Sequence, residues 1–390
     1  MFSTAFLPPT TTTTRYISIV VLEVMRFTCT QENILSGLSR VTHVAGRNAQ
    51  LPILQNILMQ VKDGLLHITG TDLEVGIHAV VGGKVGEEGS CALSARQVYE
   101  YVQQLPTSHP VEIVRGKRGV AITTKGFKSM FQTAETEDFP LLPEVGDQGG
   151  MPVSPRGLCQ GLADTTFAAA REETRPEIHS VFVEVGEDAL RVAATDSFRL
   201  AERLMPFQSG EKTFSFLLPL TTAQEIVRLF SDQESGELFF RETMVSFRGE
   251  GVDLTSRLVD GSYPDYRQII PSDFQSRFYV KREELARALK TLLVFLPRDT
   301  RRMRLLAKAA KGKLELRVEG GEAGEGEVVL QAEGEGEDTE LLLNIQYLLE
   351  GVQHLSGEKC EILLNGPEAP VTFRPRGSEG YTYVVMPIQA

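Results

Sequence analysis

The fold is decided by one stretch that occurs three times in the chain: LSARQVYEYVQQL at 93–105, LPLTTAQEIVRLF at 218–230 and LNIQYLLEGVQHL at 343–355. Each copy begins with a leucine typical of a strand, passes through a Ser, Pro or Asn break, and continues with apolar residues at helical spacing. The first leucines of successive copies are 125 residues apart in both intervals. A fixed period predicts tandem copies of one structural unit.

A second repeated stretch has nearly the same period and also joins a short strand to a helix. Its copies are FTCTQENILSGL at 27–38, MPVSPRGLCQGL at 151–162 and FYVKREELARAL at 278–289. Residues four apart share one helical face, so an apolar pair at this spacing predicts a buried stripe. The pairs are Ile34/Leu38, Leu158/Leu162 and Leu285/Leu289, and Thr30 and Ser154 are the expected N-caps of the first two helices.

Between the helices, apolar and polar residues alternate around Gly, Asn or Asp, which predicts antiparallel strand–turn–strand units at 65–81, 181–205 and 313–333. The fold class is therefore α+β, with three tandem copies of a domain that holds two helices and an antiparallel sheet. Segments rich in Gly, Pro or Asp at 144–150 and 269–277 predict the boundaries. The expected domains are 25–146, 150–271 and 274–390.

Composition indicates an ordinary globular protein of 390 residues with 42% hydrophobic residues and a net charge of −12. This charge argues against a uniformly basic nucleic-acid-binding surface but allows a local one. Four cysteines without a CxxC pair suit reduced thiols in the cytoplasm. Residues 1–24 are Thr-rich and lack the order of a secretory signal, so we expect a disordered extension or a start upstream of Met25. No apolar run approaches the roughly 20 residues that cross a bilayer, so we expect no membrane association.

The sequence contains no motif typical of an enzyme. The six histidines lack metal-ligand spacing, and no nucleophile elbow, Walker loop or dinucleotide fingerprint is present. The segment EGGEAGEGE at 319–327 has four Glu and no Lys, which favours a solvated hairpin over a phosphate loop. Asp72 and Asp196 follow strands, where an aspartate either forms a turn or serves as an acid, and the turn is the simpler interpretation. We expect neither a metal nor a cofactor.

Six further segments resemble the bacterial DNA polymerase III beta subunit, the family of sliding clamps. They are LPILQNILMQV (51–61), TGTDLEV (69–75), DFPLLP (138–143), AATDSFRLA (193–201), LVDGSYPDYRQIIP (258–271) and YVVMPI (383–388). The resemblance extends from Met25 to Ala390. It implies a head-to-tail dimer that closes into a ring around double-stranded DNA without reading its sequence. It also implies a non-catalytic processivity role, with DNA polymerase and clamp-loader subunits bound through short peptide motifs.

The resemblance implies that basic side chains on or near the helices face DNA, although each could also be an ordinary solvated charge. The set is Arg47, Arg96, Arg171, Arg175, Arg228, Lys281, Arg282 and Arg287. The expected subunit contact joins FKSMFQT (127–133) to LLVFLPRDTRRMRL (292–305) through Phe131, Val294 and Phe295, each of which could instead pack inside its own domain.

Carried over position by position, the family's partner-peptide pocket consists of Ile178, Thr195, Ser197, Phe198, Arg199, Leu200, Pro264, Gln268, Ile269, Tyr347, Val384, Met386, Pro387 and Ile388. This predicts an apolar groove with one arginine at its edge, although core packing is a serious alternative for Leu200 and Val384. We also expect that a chain without residues 384–390 stays a folded dimer and loses peptide binding.

The chain departs from the family pattern at four of these positions or beside them. The family usually has Gly and then His or Tyr where Ser197 and Phe198 stand, and many members have Arg in place of Gln268 and Gln389. These departures put partner selectivity in doubt rather than the existence of the site.

Two other hypotheses remain open. One is a monomeric DNA-binding scaffold of the same fold. The other is a metal-dependent nucleic-acid enzyme that uses Asp72, Asp196 and Asp265, which lie in different repeats.

Overall fold

The computed structural model describes residues 24–47, 51–140, 145–146, 149–207, 213–297, 301–321, 324–378 and 380–389. The extension expected at 1–24 therefore lies almost wholly outside the described residues, as do parts of the 138–143 and 144–150 segments. The chain forms two compact units. Unit 1 comprises the residues up to Pro155 together with Asp232–Arg257, and unit 2 comprises Arg156–Ser231 and the residues from Leu258 onward.

The described residues contain six α-helices, which occur in pairs along the chain: α1 (Gln31–Val41), α2 (Ala95–Gln103), α3 (Pro155–Thr165), α4 (Leu220–Phe230), α5 (Arg282–Leu293) and α6 (Ile345–His354). The helices α2, α4 and α6 begin directly after Ser94, Pro219 and Asn344, so the predicted repeat is confirmed. Side-chain caps stabilise the starts of α1 and α6: the Asn33 N–H donates to Thr30 Oγ1 over 3.1 Å, and Asn344 Oδ1 accepts from two backbone N–H groups of α6.

The strands, all antiparallel to their neighbours, are β1 (Met25–Cys29), β2 (Asn56–Lys62), β3 (Leu65–Thr71), β4 (Val75–Val81), β5 (Lys84–Glu87), β6 (Gly89–Ser94), β7 (Val111–Gly116), β8 (Gly119–Thr124), β9 (Phe127–Phe131), β10 (Met151–Val153), β11 (Ser180–Val185), β12 (Ala189–Thr195), β13 (Arg199–Pro206), β14 (Phe214–Pro219), β15 (Gly236–Arg241), β16 (Met244–Gly249), β17 (Val252–Arg257), β18 (Ser276–Lys281), β19 (Arg302–Lys308), β20 (Lys313–Glu319), β21 (Glu325–Gln331), β22 (Glu333–Glu335), β23 (Thr339–Asn344), β24 (Lys359–Leu364), β25 (Val371–Pro375) and β26 (Tyr381–Val385). The predicted hairpins β3–β4, β12–β13 and β20–β21 are all formed.

Unit 1 contains a five-stranded sheet in the order β5-β1-β7-β8-β9 and an eight-stranded sheet in the order β10-β15-β16-β17-β4-β3-β2-β6. Pairing of β17 with β4 joins strands of the second repeat to strands of the first. The second repeat is thus shared: β15–β17 belong to unit 1, whereas β11–β14 and α4 belong to unit 2. Helix α1 packs on β3 and β4 through the predicted stripe, in which Ile34 and Leu38 are fully buried.

Unit 2 contains a nine-stranded sheet in the order β14-β11-β12-β13-β26-β25-β24-β18-β22 and a four-stranded sheet in the order β21-β20-β19-β23. The last strand of the chain, β26, lies in the middle of the large sheet between β13 and β25. All five of its residues are buried. The chain end therefore contributes directly to the core of this unit.

All four cysteines are buried thiols, and burial raises the pKa of the Cys29, Cys91 and Cys360 side chains to about 12. A raised pKa keeps these thiols protonated, and a protonated thiol is a poor nucleophile. Within the described part of the chain, no helix has the length and apolar character needed to cross a membrane.

Candidate functional site

The candidate docking site is organised by the turn between β12 and β13 in unit 2. Thr195 Oγ1 donates to the Arg199 carbonyl oxygen over 2.6 Å, and Asp196 Oδ1 accepts the N–H groups of Phe198 and Arg199, each over 3.0 Å. Ser197, between them, has a φ of 76°. The turn points the Phe198 side chain outward, and 62% of that residue is exposed.

The same turn occurs in unit 1 at residues 71–75. Thr71 Oγ1 donates to the Val75 carbonyl oxygen over 2.9 Å, and Asp72 Oδ1 accepts the N–H groups of Glu74 and Val75. Leu73 takes the left-handed position with a φ of 79°. The carboxylates of Asp72 and Asp196 thus form turns, as the simpler interpretation predicted.

The end of the chain passes beside this turn after it leaves the sheet. The Met386 N–H donates to the Phe198 carbonyl oxygen over 2.8 Å, and the Ile388 N–H donates to the Leu342 carbonyl oxygen over 2.7 Å. Met386 is 36% exposed, so it adds apolar surface next to Phe198.

Beneath this surface lies a small buried cluster. Leu200 on β13 is paired in register with Val384 on β26, and both pack with Ala193 and Tyr266. Leu200 and Val384 are 2% and 1% exposed, so for these two side chains the core alternative describes the structure. They form the floor of the site, and a ligand on the surface would contact Phe198 and Met386 instead.

The predicted residues Gln268 and Ile269 lie in a 3₁₀ helix over Tyr266–Ile269, and Pro264 lies two residues before it. Tyr266 packs in the buried floor cluster, while Ile269 is 41% exposed. Gln268 donates from Nε2 to Asp265 Oδ2 over 2.7 Å. Asp265 therefore binds a neighbouring amide on the same short segment.

Arg199 differs from the expected arginine at the edge of the groove, because its side chain is only 3% exposed. Its Nε donates to Asp196 Oδ2 over 3.0 Å, its Nη1 donates to Glu350 Oε2, and its Nη2 donates to the Phe167 carbonyl oxygen over 2.8 Å. The guanidinium also lies 4.4 Å from the centre of the Tyr347 ring. The expectation of an edge arginine is wrong here: Arg199 is a buried link between β13 and α6.

Arg199 and the acidic side chains around it stabilise one another's charged forms. Burial by itself would lower the pKa of the Arg199 guanidinium, but Tyr383, Glu350 and Asp196 raise it above its ordinary value. Burial would likewise raise the pKa of Glu350, but hydrogen bonds from Arg199 and Gln346 hold it below its usual range. Both groups remain charged, and each compensates the other's loss of hydration.

A cavity of about 880 Å³ opens beside the turn. Of the predicted pocket residues, Ile178, Ser197, Phe198, Arg199 and Tyr347 line it. Pro264, Gln268, Ile269, Met386, Pro387 and Ile388 are not among its lining, and Thr195, Leu200 and Val384 are buried.

Several residues of the cavity were missed by the sequence reasoning, among them Asn344, Gln346 and Glu350. Gln346 Nε2 donates to Glu350 Oε1 over 2.7 Å, one helical turn along α6. Glu350 lies three residues after Tyr347, so helical spacing from that predicted residue was the available signal.

The predicted DNA-facing residues occupy two kinds of position. Arg96, Arg228, Arg282 and Arg287 lie on helices, with Lys281 just before α5, whereas Arg47, Arg171 and Arg175 lie in the loops after α1 and α3. Arg171 and Arg175 line the cavity of unit 2. Several helix cations have acidic neighbours: Arg96 pairs with Glu100 over 2.7 Å, and Arg228 pairs with the buried Glu225.

The two segments predicted for a subunit contact each border a sheet edge. The first segment contains β9, the last strand of the five-stranded sheet, and the second begins at the end of α5, which contacts β21, the last strand of the four-stranded sheet. Val294, just after α5, is 81% exposed. Phe131 packs edge-to-face on Tyr101, and Phe295 packs partly on the core of unit 2. Residues 298–300 of the second segment lie outside the described residues.

Among the described residues, no group of three or more His, Cys, Asp or Glu side chains is arranged to hold a metal ion. Asp72 and Asp196 are engaged in their turns, and Asp265 in its bond to Gln268.

Comparison with known proteins gives consistent matches along the chain. Three family models of the DNA polymerase III beta subunit match in order: the N-terminal domain at residues 25–143, the central domain at 153–265 and the C-terminal domain at 267–389. The beta sliding clamp of Synechococcus elongatus is 29% identical over 374 residues, which cover 94% of this chain and 99% of that protein. The beta sliding clamp of Salmonella typhimurium is 28% identical over 372 residues, with 94% and 100% coverage.

Solved structures give the same result. The sliding clamp of Pseudomonas aeruginosa in complex with griselimycin superposes with a TM-score of 0.89 at 25% identity, covering 94% of this chain and all of that one. The Caulobacter crescentus beta sliding clamp also reaches a TM-score of 0.89, at 27% identity, with 94% and 99% coverage.

Proposed function

Since the chain belongs to the DNA polymerase III beta subunit family, we propose that it acts as a DNA sliding clamp: a ring-shaped homodimer that encircles duplex DNA and confers processivity on the replicative DNA polymerase. The observation that carries this proposal is the series of three clamp-domain matches in order over residues 25–389. Within its described residues, each matched domain contains two α-helices. Two chains would then supply twelve helices around a closed hole.

The proposed domains are 25–146, 150–271 and 274–390. The second domain contributes strands to both compact units, because β17 pairs with β4 while β13 pairs with β26. Such shared sheets make the three repeats dependent on one another, as a ring that must stay closed requires.

The proposed DNA contact is electrostatic and independent of sequence. A net charge of −12 disfavours DNA on most of the surface, whereas cations on the helices offer phosphate contacts inside the ring. Contacts of this kind position the duplex without selecting bases, which is what sliding needs. Arg47, Arg96, Arg228, Lys281, Arg282 and Arg287 are the proposed set, and Arg171 and Arg175 lie where DNA and a docked peptide could both reach them.

The proposed dimer contact is head to tail and joins β9 of one chain to the region of Val294 and β21 of the other. Exposed Phe127 and Met130 on β9, and exposed Val294 and Val329, offer apolar surface next to unpaired strand edges. An open edge of this kind is available for pairing with another strand. When two different surfaces of one protein bind each other, successive copies close into a ring if the rotation between them permits it.

We propose that the surface formed by Phe198, Ile269 and Met386 beside the cavity of unit 2 binds short peptide motifs of DNA polymerase and clamp-loader subunits. Exposed apolar residues over a buried floor suit a peptide with apolar anchors, and a flexible methionine adapts to different sequences. The protein would have no catalytic role and would work in the cytoplasm.

The test is retention on nicked circular DNA after loading, followed by linearisation. A ring that is linked topologically stays on the circle and is lost once the DNA has ends. Retention that does not change on linearisation would contradict the ring. A nuclease assay with and without Mg²⁺ on the same preparation checks the non-catalytic assignment.

A further inference from the structure

The sulfur-containing side chains of the described structure lie mostly in the core. All four cysteines are buried, and the raised pKa of three of them keeps those thiols protonated, which makes them poor targets for oxidants. Five methionines are buried as well: Met25, Met59, Met151, Met205 and Met303. Because oxidation of a thioether requires contact with solvent, these five side chains are protected.

Two methionines of the described residues are exposed, Met130 at 53% and Met386 at 36%, while Met244 on β16 is half-buried. Met130 lies on β9, the edge strand of the proposed subunit contact, so a second chain would cover it in the ring. Met386 lies beside Phe198 on the proposed docking surface, which stays open until a partner binds. In a closed ring, Met386 would therefore be the described methionine most accessible to an oxidant dissolved in water.

The backbone on both sides of Met386 is fixed independently of its side chain. Strand β26 ends one residue earlier, at Val385. The Met386 N–H then donates to the Phe198 carbonyl oxygen over 2.8 Å, and the Ile388 N–H donates to the Leu342 carbonyl oxygen over 2.7 Å. A chemical change at the Met386 sulfur would therefore alter the surface beside Phe198 and leave these backbone hydrogen bonds in place.

Hydrogen peroxide oxidises a thioether in a single two-electron step. A sulfur lone pair attacks one oxygen of the peroxide, and the O–O bond breaks as the S–O bond forms. The hydroxide that leaves takes the proton of the transferred oxygen and becomes water. Sulfur loses two electrons and peroxide gains them, and the product, methionine sulfoxide, is polar where the thioether was apolar.

We propose that Met386 is a reversible oxidation site, at which peroxide weakens the docking of partner peptides. The inference rests on the proposed docking function and adds a form of regulation to that surface. A docked peptide would cover Met386 together with Phe198, so the sulfoxide oxygen would lose its water. Burial of a polar group that gains no hydrogen bond is unfavourable, and the Phe198 side chain has no donor to offer.

The reverse reaction is reduction of the sulfoxide by thiols. Methionine sulfoxide reductases catalyse it, one enzyme for each sulfoxide epimer. Two thiols supply the two electrons and become a disulfide, and the oxygen leaves as water. The modification is therefore reversible without synthesis of new protein.

The first measurement identifies the methionines that peroxide modifies. Full-length protein is treated with hydrogen peroxide, the reaction is stopped with free methionine at timed intervals, and tryptic peptides are analysed by mass spectrometry. We expect sulfoxide to form at Met386 about tenfold faster or more than at Met25, Met59 or Met303, because reactivity follows exposure. Equal rates at these four residues would overturn the proposal.

The second measurement follows docking by fluorescence anisotropy, with a fluorescein-labelled peptide from a DNA polymerase subunit as the probe. Peroxide is removed before the peptide is added. We expect the dissociation constant to rise about fivefold to tenfold on oxidation, because one polar group is buried without a partner. Treatment with both reductases and dithiothreitol should return it to the starting value. The thermal midpoint should stay within about 2 °C, since no buried side chain is modified.

Two variants assign the effect, and each is judged by the ratio of its own dissociation constants after and before peroxide. Met386→Leu keeps an apolar side chain but has no sulfur, so its ratio should be close to one. Met130→Leu is the matched control, because it removes the other exposed methionine, and its ratio should equal that of the wild-type protein. If Met386→Leu responds to peroxide as strongly as the wild-type protein, another group is responsible and the proposal is wrong.

The outcomes separate this inference from the proposed function. If the untreated wild-type protein does not bind the peptide, the docking function fails and the inference fails with it. If it binds, and protein with sulfoxide at Met386 binds equally well, docking stands and the oxidation inference is wrong. If binding falls together with the thermal midpoint, or is not restored by the reductases, the loss comes from damage elsewhere and the inference is overturned.

Discussion

Leu73 and Ser197 occupy the same left-handed position in two copies of the same turn. For Ser197 the structure offers a reason, its bond to Arg175, whereas Leu73 is 37% exposed and holds a side chain with no comparable partner in the described structure. A left-handed residue with a Cβ costs about 1–2 kcal/mol relative to glycine. The turn tolerates this cost because Thr71 and Asp72 fix its backbone by hydrogen bonds.

Leu73→Gly should therefore lower the free energy of unfolding by about 1 kcal/mol less than Leu65→Gly does, because removal of the left-handed strain offsets part of the burial that either substitution loses. Urea unfolding followed by circular dichroism measures both changes. Leu65→Gly is the matched control, since Leu65 is equally exposed but lies in a regular strand, where glycine relieves no strain. If the two substitutions lower stability equally, the left-handed backbone at residue 73 is not strained.

His67 lies on β3 in the eight-stranded sheet of unit 1, next to a second histidine, His78, on β4. Its Nδ1 lies 3.0 Å from His78 Nε2, and His78 Nδ1 lies 3.6 Å from Asp253 Oδ2 across the β4–β17 pair. Burial first, and then the nearby charges of His78 and Lys62, lower the pKa of His67 to about 4. Its buried Nε2 has no hydrogen-bond partner among the described residues, so a proton there would be unsatisfied.

The folded protein thus resists a proton that the unfolded chain accepts near pH 6.5. Between pH 6.5 and 4 the unfolded state binds more protons, so stability falls as the pH falls through this window. We expect this group to account for about 1–2 kcal/mol, since partial exposure weakens the effect. Urea midpoints from pH 7 to 4 should decline less steeply in His67→Gln than in wild type. Parallel curves would exclude His67 as the cause.

At the scale of elements, the local sequence pattern predicted the helix starts, because local interactions determine them. Helices α2, α4 and α6 follow Ser94, Pro219 and Asn344 because apolar spacing and the preceding break specify their starts. The burial of Arg199 could not be predicted in this way, since its partner Glu350 lies 151 residues further along the chain. Pairing of β17 with β4 was missed for the same reason, because nothing near either strand specifies a distant neighbour.

The end of the chain can be interpreted only from the sequence pattern and the sheet order together. Its apolar residues were predicted to line a groove as one segment, but the structure divides them at residue 386. Val384 and Val385 are buried between β13 and β25, whereas Met386 leaves the sheet and is 36% exposed. Sequence pattern identified the segment as unusual, and only the sheet order separates its core part from its surface part.

Two truncations should therefore behave differently. Removal of residues 386–390 should leave the fold intact. It should weaken the binding of a fluorescein-labelled peptide from a DNA polymerase subunit about tenfold or more, because Met386 is lost from the surface beside Phe198. Removal of 384–390 should lower the thermal midpoint strongly, since two buried side chains of a central strand cost about 2–5 kcal/mol together. Melting curves and fluorescence anisotropy on both proteins measure this. A stable 384–390 truncation would restore our original expectation for this segment.

At the scale of the whole molecule, we propose that peptide docking and the encirclement of DNA use different surfaces. The cavity, Phe198 and Met386 all lie in unit 2 of a single chain, so peptide docking would not need a second copy. Encircling DNA would need one, because in the proposed ring the three domains of one chain supply half of six. A substitution at the proposed subunit contact should therefore remove one activity and spare the other.

Val294→Asp is that substitution, because Val294 is 81% exposed and a charge there would cost little within the chain but would be buried unpaired in a dimer. We expect monomers in sedimentation, loss of retention on nicked circular DNA, and peptide affinity within about twofold of wild type, the scatter typical of a surface change far from a site. Leu204→Asp, a similar change at an exposed residue of β13, should remain dimeric and be retained. If Val294→Asp stays dimeric, the subunit contact lies elsewhere. If it loses peptide binding together with dimerisation, the docking surface depends on the second chain, and the separation of the two tasks is wrong.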